Sequence, residues 1–140
     1  MEFFNYDAIN WLAILVGALA YMFVGGLWYG PVAGKAWMEE MGITPEDLEG
    51  QSPAPAMIKS TISALVFSFG LALVIYNPVL AISGWQEGAM IGIFVALIFV
   101  GAGAYPNYAF ESKALRHFLI HIGCSSVGMA LIGAIMGAWK

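Results

Sequence analysis

Residues 8–27 read "AINWLAILVGALAYMFVGGL", a run with no charged side chain. An α-helix rises about 1.5 Å per residue, so such a run matches the roughly 30 Å hydrocarbon core of a bilayer. Working outward, three further apolar runs have the same character. The predicted spans are about 8–28, 57–76, 84–104 and 117–139, with Glu87 at the entrance of the third, all within one membrane domain over 1–140. Backbone groups in lipid must find partners inside their own segment, which selects helices; barrel strands would be shorter and would alternate in polarity. The expected fold is all-α: an integral membrane bundle of four transmembrane helices with a short interfacial helix after the first span.

Composition supports this reading and excludes several others. The chain is 61% hydrophobic and only 10% charged, with mean hydropathy +0.81, too little polar surface to cover a soluble globule of this size. A net charge of −4 with five Lys and Arg residues leaves no basic patch, so no nucleic-acid partner is expected. A single Cys124 excludes an internal disulfide and an all-cysteine zinc cage. Glu2 and Asp7 make the segment before the first run acidic, unlike a secretory leader, and the first span is expected to be retained.

Trp11, Trp28, Tyr29, Tyr76, Trp85, Tyr105, Tyr108 and Trp139 fall at the ends of the runs, where amphipathic rings favour the headgroup layer. Lys35, Lys59, Lys113 and Arg116 belong to the first and third loops, against Lys140 alone on the other side. The positive-inside rule then makes loops 29–56 and 105–116 cytoplasmic and puts both termini outside.

The stretch "GGLWYGPVAGKAWMEEMG", residues 25–42, marks where the chain leaves the first span. Gly30 permits a sharp change of direction, and Pro31 suits the first turn of a new helix, where its missing N–H costs nothing. Trp37, Met38 and Met41 then share one helical face while Lys35 and Glu39 lie four apart on another, the pattern of an interfacial helix that Gly42 stops. Thr44, Pro45 and Asp47 read as an N-cap, a first-turn proline and a capping-box acid. Trp28, Tyr29, Pro31, Lys35 and Trp37 form a candidate lipid-anchoring set; interfacial anchoring explains them without a bound ligand.

Helices associate in lipid mainly where small residues let backbones come close. Ser60, Ala64, Ser68 and Ala72 form such a row on span two; Gly84, Gly88, Gly92 and Ala96 on span three; Ser126, Ala130, Ala134 and Ala138 on span four, with Gly133 and Gly137 as a second edge. These rows predict helix pairing, within the chain or with another copy. The segments "WYGPVAGKAW" and "YPNYAFESKAL" each place an aromatic, a proline and a lysine after an odd-numbered span, which would fit two hairpins related as a parallel repeat. The common needs of a span end account for the same residues.

His117, His121 and Cys124 lie on one side of span four and are the candidate metal or haem ligands. Their alternative is an interfacial His117 and a deeper His121 satisfied by a hydroxyl or carbonyl. No span carries an acid or base at its centre, which argues against a proton-coupled pump or a carboxylate-based cation transporter. No nucleophile, base and orienting acid stand together, so neither an enzyme nor a cofactor is expected.

"GGLWYGPVAGKAWMEEMGIT" resembles the signature of small bacterial membrane proteins catalogued as domain of unknown function 1761, through Trp28, Tyr29, Pro31, Gly34, Lys35, Trp37 and Met38. "YAFESKALRHFLIHIGCSSVGMALIGAIMGAW" resembles that family's C-terminal hairpin, while Ala33 stands where its pattern carries a bulkier residue. The resemblance implies a four-span protein of the bacterial inner membrane and supplies no activity. The leading expectation is a protein that acts through helix association, as a homo-oligomer or an accessory subunit of another membrane protein. The alternative is a passive channel or small-solute transporter built from several copies and lined by Ser60, Ser63, Ser68, Ser125 and Ser126; a third is the metal or haem site.

Overall fold

The computed structural model describes residues 6–140; Glu2 of the acidic tail lies outside them. Helix α1 starts later than the apolar run does, because Asn10 is spent as its cap. The Asn10 side-chain oxygen accepts the Ala13 N–H at 3.1 Å, satisfying a donor that a helix start leaves open. α1 covers Trp11–Leu27 and widens into a π turn over Trp28–Val32. There Gly30 (φ −97°, ψ −106°) leaves helical geometry and bends the chain, as its lack of a side chain permits. Pro31 corrects the sequence reading: it sits inside this wide turn, while α2 begins only at Gly34 and runs Gly34–Met41. The break between them is Ala33, at φ −125° and ψ 5°.

Gly42 ends α2 in the left-handed conformation (φ +65°), where its own N–H reaches the Glu39 carbonyl at 3.2 Å and that of Ile43 reaches Met38 at 3.1 Å. The short α3, Pro45–Leu48, opens on the expected box: the Thr44 N–H and hydroxyl both donate to the Asp47 carboxylate, at 2.7 and 3.0 Å. Helix α4 is Ala54–Ile75. The third span runs as one helix from Trp85 to Phe110, made of α5 (Trp85–Val95), a π segment (Ala96–Gly101) and α6 (Ala102–Phe110). Glu87 folds back on its start and accepts the Ser83 N–H at 2.6 Å, which explains an acid at a membrane entrance. This helix continues past Ala104 and through Pro106, whereas the first span breaks at Gly30, so the two segments read as a faint repeat take different backbone paths. Helix α7 is Leu115–Ala138, and no strand occurs among the described residues.

The bundle is built around α7, of whose 18-residue apolar stretch 44% is buried, against 22%, 28% and 22% for those of the first three spans. Its contact with α5 brings backbone against backbone. A Cβ added at Gly88 would meet the Gly133 carbonyl, one at Gly92 the Met129 carbonyl, and one at Gly137 the Gly84 carbonyl, all well inside contact distance. On the other flank Gly17 of α1 makes room for α4, where the Ser68 hydroxyl donates to the Ile14 carbonyl at 2.7 Å. The packed core gathers at one end of the bundle, from Ile9 just before α1, Ala13 and Ile14 on α1, Leu71, Ala72 and Ile75 on α4, and Met129, Ile132 and Met136 on α7. Leu12, Leu15, Leu19 and Phe23 of α1 point outward, as befits helices whose surroundings are lipid.

Candidate functional site

The other end of the same three helices does not close. Between the second half of α1, the first half of α4 and the start of α7 lies a laterally open cleft of about 720 Å³, within the range of small-molecule sites, roughly 300–1,000 Å³. Tyr21, Gly25 and Tyr29 repeat every four residues and so form one face of the first span, Trp11–Val32. Ala56, Lys59, Ser60, Ser63 and Phe67 line it from α4, and His121, Cys124 and Ser125 from α7. The two glycines of α1 make the space: a Cβ at Gly25 or Gly26 would meet nothing within 4 Å. Phe67 closes the base against the Tyr21 ring, with centroids 5.6 Å apart, and the Tyr21 hydroxyl lies near the Ser125 side chain.

The lining is graded. Tyr29, Lys59, Ser60 and His121 lie near the helix ends, Ser63, Cys124 and Ser125 about a turn deeper, and Tyr21 and Phe67 deeper again. Apolar side chains with a few convergent polar groups are what an organic ligand needs: area for its carbon skeleton and fixed partners for its head. No carboxylate is among the lining residues, and Lys59 is their permanent cation.

Of the proposed anchors, Trp28 spends its indole N–H on protein, donating to the Ile120 carbonyl at 2.9 Å. Its ring covers Gly123, where an added Cβ would stand 2.7 Å from the indole. Tyr29 lies edge-on to Trp37 with centroids 5.8 Å apart, while Pro31 and Lys35 are exposed. α2 is tied to the start of α7 by Arg116, which reaches Glu39 at 3.1 Å and Glu40 at 3.3 Å.

The small-residue rows divide. Ala64 and Ser68 are buried, but Ser60 is exposed at the cleft. Gly84, Gly88 and Gly92 face α7 through Met129, Gly133 and Gly137, so the second edge of span four makes this seam, and Ala130 and Ala134 stay half-buried beside it. Position decides this, since the two edges of α7 lie on neighbouring faces and only one can meet the backbone of α5. The serines likewise scatter: Ser60, Ser63 and Ser125 line the cleft, Ser68 bonds Ile14, and Ser126 donates to the carbonyl of Ile122 at 2.7 Å. His117 is buried edge-on to Tyr108 (5.3 Å between centroids) and His121 stacks on the same ring (6.0 Å). Among the described residues no group of three His, Cys, Asp or Glu side chains is placed to hold a metal ion. Sequence reasoning missed Tyr21, Gly25, Gly26, Met57 and Phe67. The four-residue recurrence Tyr21, Gly25, Tyr29 was the available signal.

Four helices long and apolar enough to cross a bilayer, with a lateral cleft among three of them, define a small multi-pass membrane protein. The family model described as "Protein of unknown function (DUF1761)" matches residues 12–137. The chain belongs to that family. No curated protein and no solved structure matches it.

Proposed function

We propose that the protein is a membrane-embedded binding protein whose lateral cleft takes up an amphipathic molecule from the bilayer. One observation carries this reading: three spans that pack tightly at one end part at the other around polar side chains and two unfilled glycine positions. Hydroxyls and an amine turned toward lipid are costly unless something engages them. The molecule's apolar part would lie on Met22, Met57 and Phe67, and its polar part on Tyr29, Lys59 and the serines. Binding, with no chemical step, is the role this lining supports. The distribution of Lys and Arg supports an inner-membrane setting with this mouth on the cytoplasmic side.

Purification in mild detergent followed by native mass spectrometry tests the reading. Wild-type protein should retain a stoichiometric amphiphile, and Gly26→Phe, whose Cβ starts in open space and whose ring would occupy the cleft, should lose most of it. Equal retention by both would sink the idea.

A second reading is association with another copy or another membrane protein. It is favoured by the first part of α4, where residues 54–63 are exposed. The particle mass in native lipid nanodiscs separates the two, a strictly monomeric particle removing this alternative.

A further inference from the structure

The lining of the cleft specifies the charge of what it accepts. We infer that the site selects an anionic phospholipid, its phosphate paired with Lys59 and its glycerol ester groups bonded by Ser60 and Ser63; this rests on the amphiphile reading above. Among the other basic side chains, Lys113 pairs with Glu111, Arg116 with Glu39 and Glu40, and Lys140 donates to the Ile82 carbonyl at 2.7 Å. Lys59 and Lys35 have no such partner among the described residues, and of the two Lys59 faces the cleft, which has no carboxylate to answer it. An ammonium in the second turn of a span sits at headgroup depth, where attraction to anionic lipid is strongest.

Depth distinguishes a phospholipid from a simpler anion. Ser63 is four residues beyond Lys59 on α4, about 6 Å further into the membrane. A phospholipid carries ester carbonyls below its phosphate, so the serine hydroxyls meet acceptors there; a fatty acid has only methylenes at that level. Thr61, on the same turn, satisfies its hydroxyl on the Met57 carbonyl at 2.8 Å, whereas Ser60 and Ser63 make no bond to protein among the described residues. Their donors are available to a ligand.

The test offers delipidated full-length protein an equimolar mixture of phosphatidylglycerol and phosphatidylcholine with the same chains, and counts retained lipids by native mass spectrometry. The wild type should favour phosphatidylglycerol, and Lys59→Gln should lower that preference about fivefold, the worth of one lysine near an anionic surface. Lys113→Gln, a lysine outside the lining and outside the anchoring set, should leave the preference unchanged; an equal loss there would assign it to general surface charge and overturn the inference. Wild type retaining both lipids equally, with retention abolished by Gly26→Phe, would leave the cleft reading standing and refute the anionic one. Retention unaffected by Gly26→Phe would remove both. Oleate displacing phosphatidylglycerol at equal concentration would refute the phospholipid assignment, and Ser60→Ala/Ser63→Ala should halve retention if the ester contacts exist.

Discussion

α7 meets its neighbours in two opposite ways. Against α5 it presents Met129, Gly133 and Gly137, and the two backbones approach until no side-chain atom fits between them. Against α1 and α4, a few turns nearer its start, it presents His121, Cys124 and Ser125 to an open cleft. Glycine is used at both places, with opposite results. Where a facing helix supplies glycine in register, its absence of side chain becomes close contact and dispersion energy. Where the facing helix supplies Lys59, Ser60 and Ser63, the same absence at Gly25 and Gly26 becomes room.

The sharpest way to break this contrast is to make one chemical change at both places. Gly133→Leu should cost on the order of 3 kcal/mol or more, the upper range for overpacking, because its Cβ would strike the Gly88 carbonyl. Gly26→Leu should change stability by less than about 0.5 kcal/mol, since its Cβ has no atom within 4 Å and its branch extends into the open cleft. Thermal unfolding in a single detergent measures both, and similar losses would mean that the cleft is closed in the working protein.

A smaller effect is expected where cleft and bundle join. Trp28→Phe removes the bond to the Ile120 carbonyl and should cost about 1 kcal/mol. Were Trp28 only an interfacial anchor, phenylalanine would unfold at the same temperature as the wild type in detergent, where no bilayer interface exists.

The smallest effect concerns the linker that reaches the rim of the cleft at Pro53. Donation from the Thr44 N–H and hydroxyl holds the Asp47 carboxyl below its ordinary range. A folded pKa that is depressed gives a contribution fully present above the unfolded pKa and lost as pH falls through the folded one. Acidification should therefore lower the protection of the Thr44 amide, its exchange rate measured relative to the intrinsic rate at the same pH, before it affects the seam amides at Gly88 and Gly133. Simultaneous loss would make the linker part of one cooperative unit with the bundle.

Much of this was legible in one dimension. Thr44 with Asp47, Gly42 and the spans themselves depend on contacts within a few residues, and local rules suffice for them. Pro31 misled because a π turn absorbs it and delays the next helix to Gly34. The row Ala130, Ala134 misled for a different reason: spacing shows that α7 has two small edges, and nothing in spacing tells which edge meets α5. For the site, Tyr21, Gly25 and Tyr29 were visible as a stripe, but a stripe of rings and glycines has the same appearance whether it is packed or open.

The sequence by itself determined that this chain crosses a membrane four times as helices, because burying an unpaired backbone group in hydrocarbon costs several kcal/mol and about twenty apolar residues leave no other solution. Tertiary structure alone decided which glycines became contact and which became space. That choice depends on the register and tilt of helices distant in sequence, where an offset of one residue turns a helix face by about 100° and replaces a seam with a cleft.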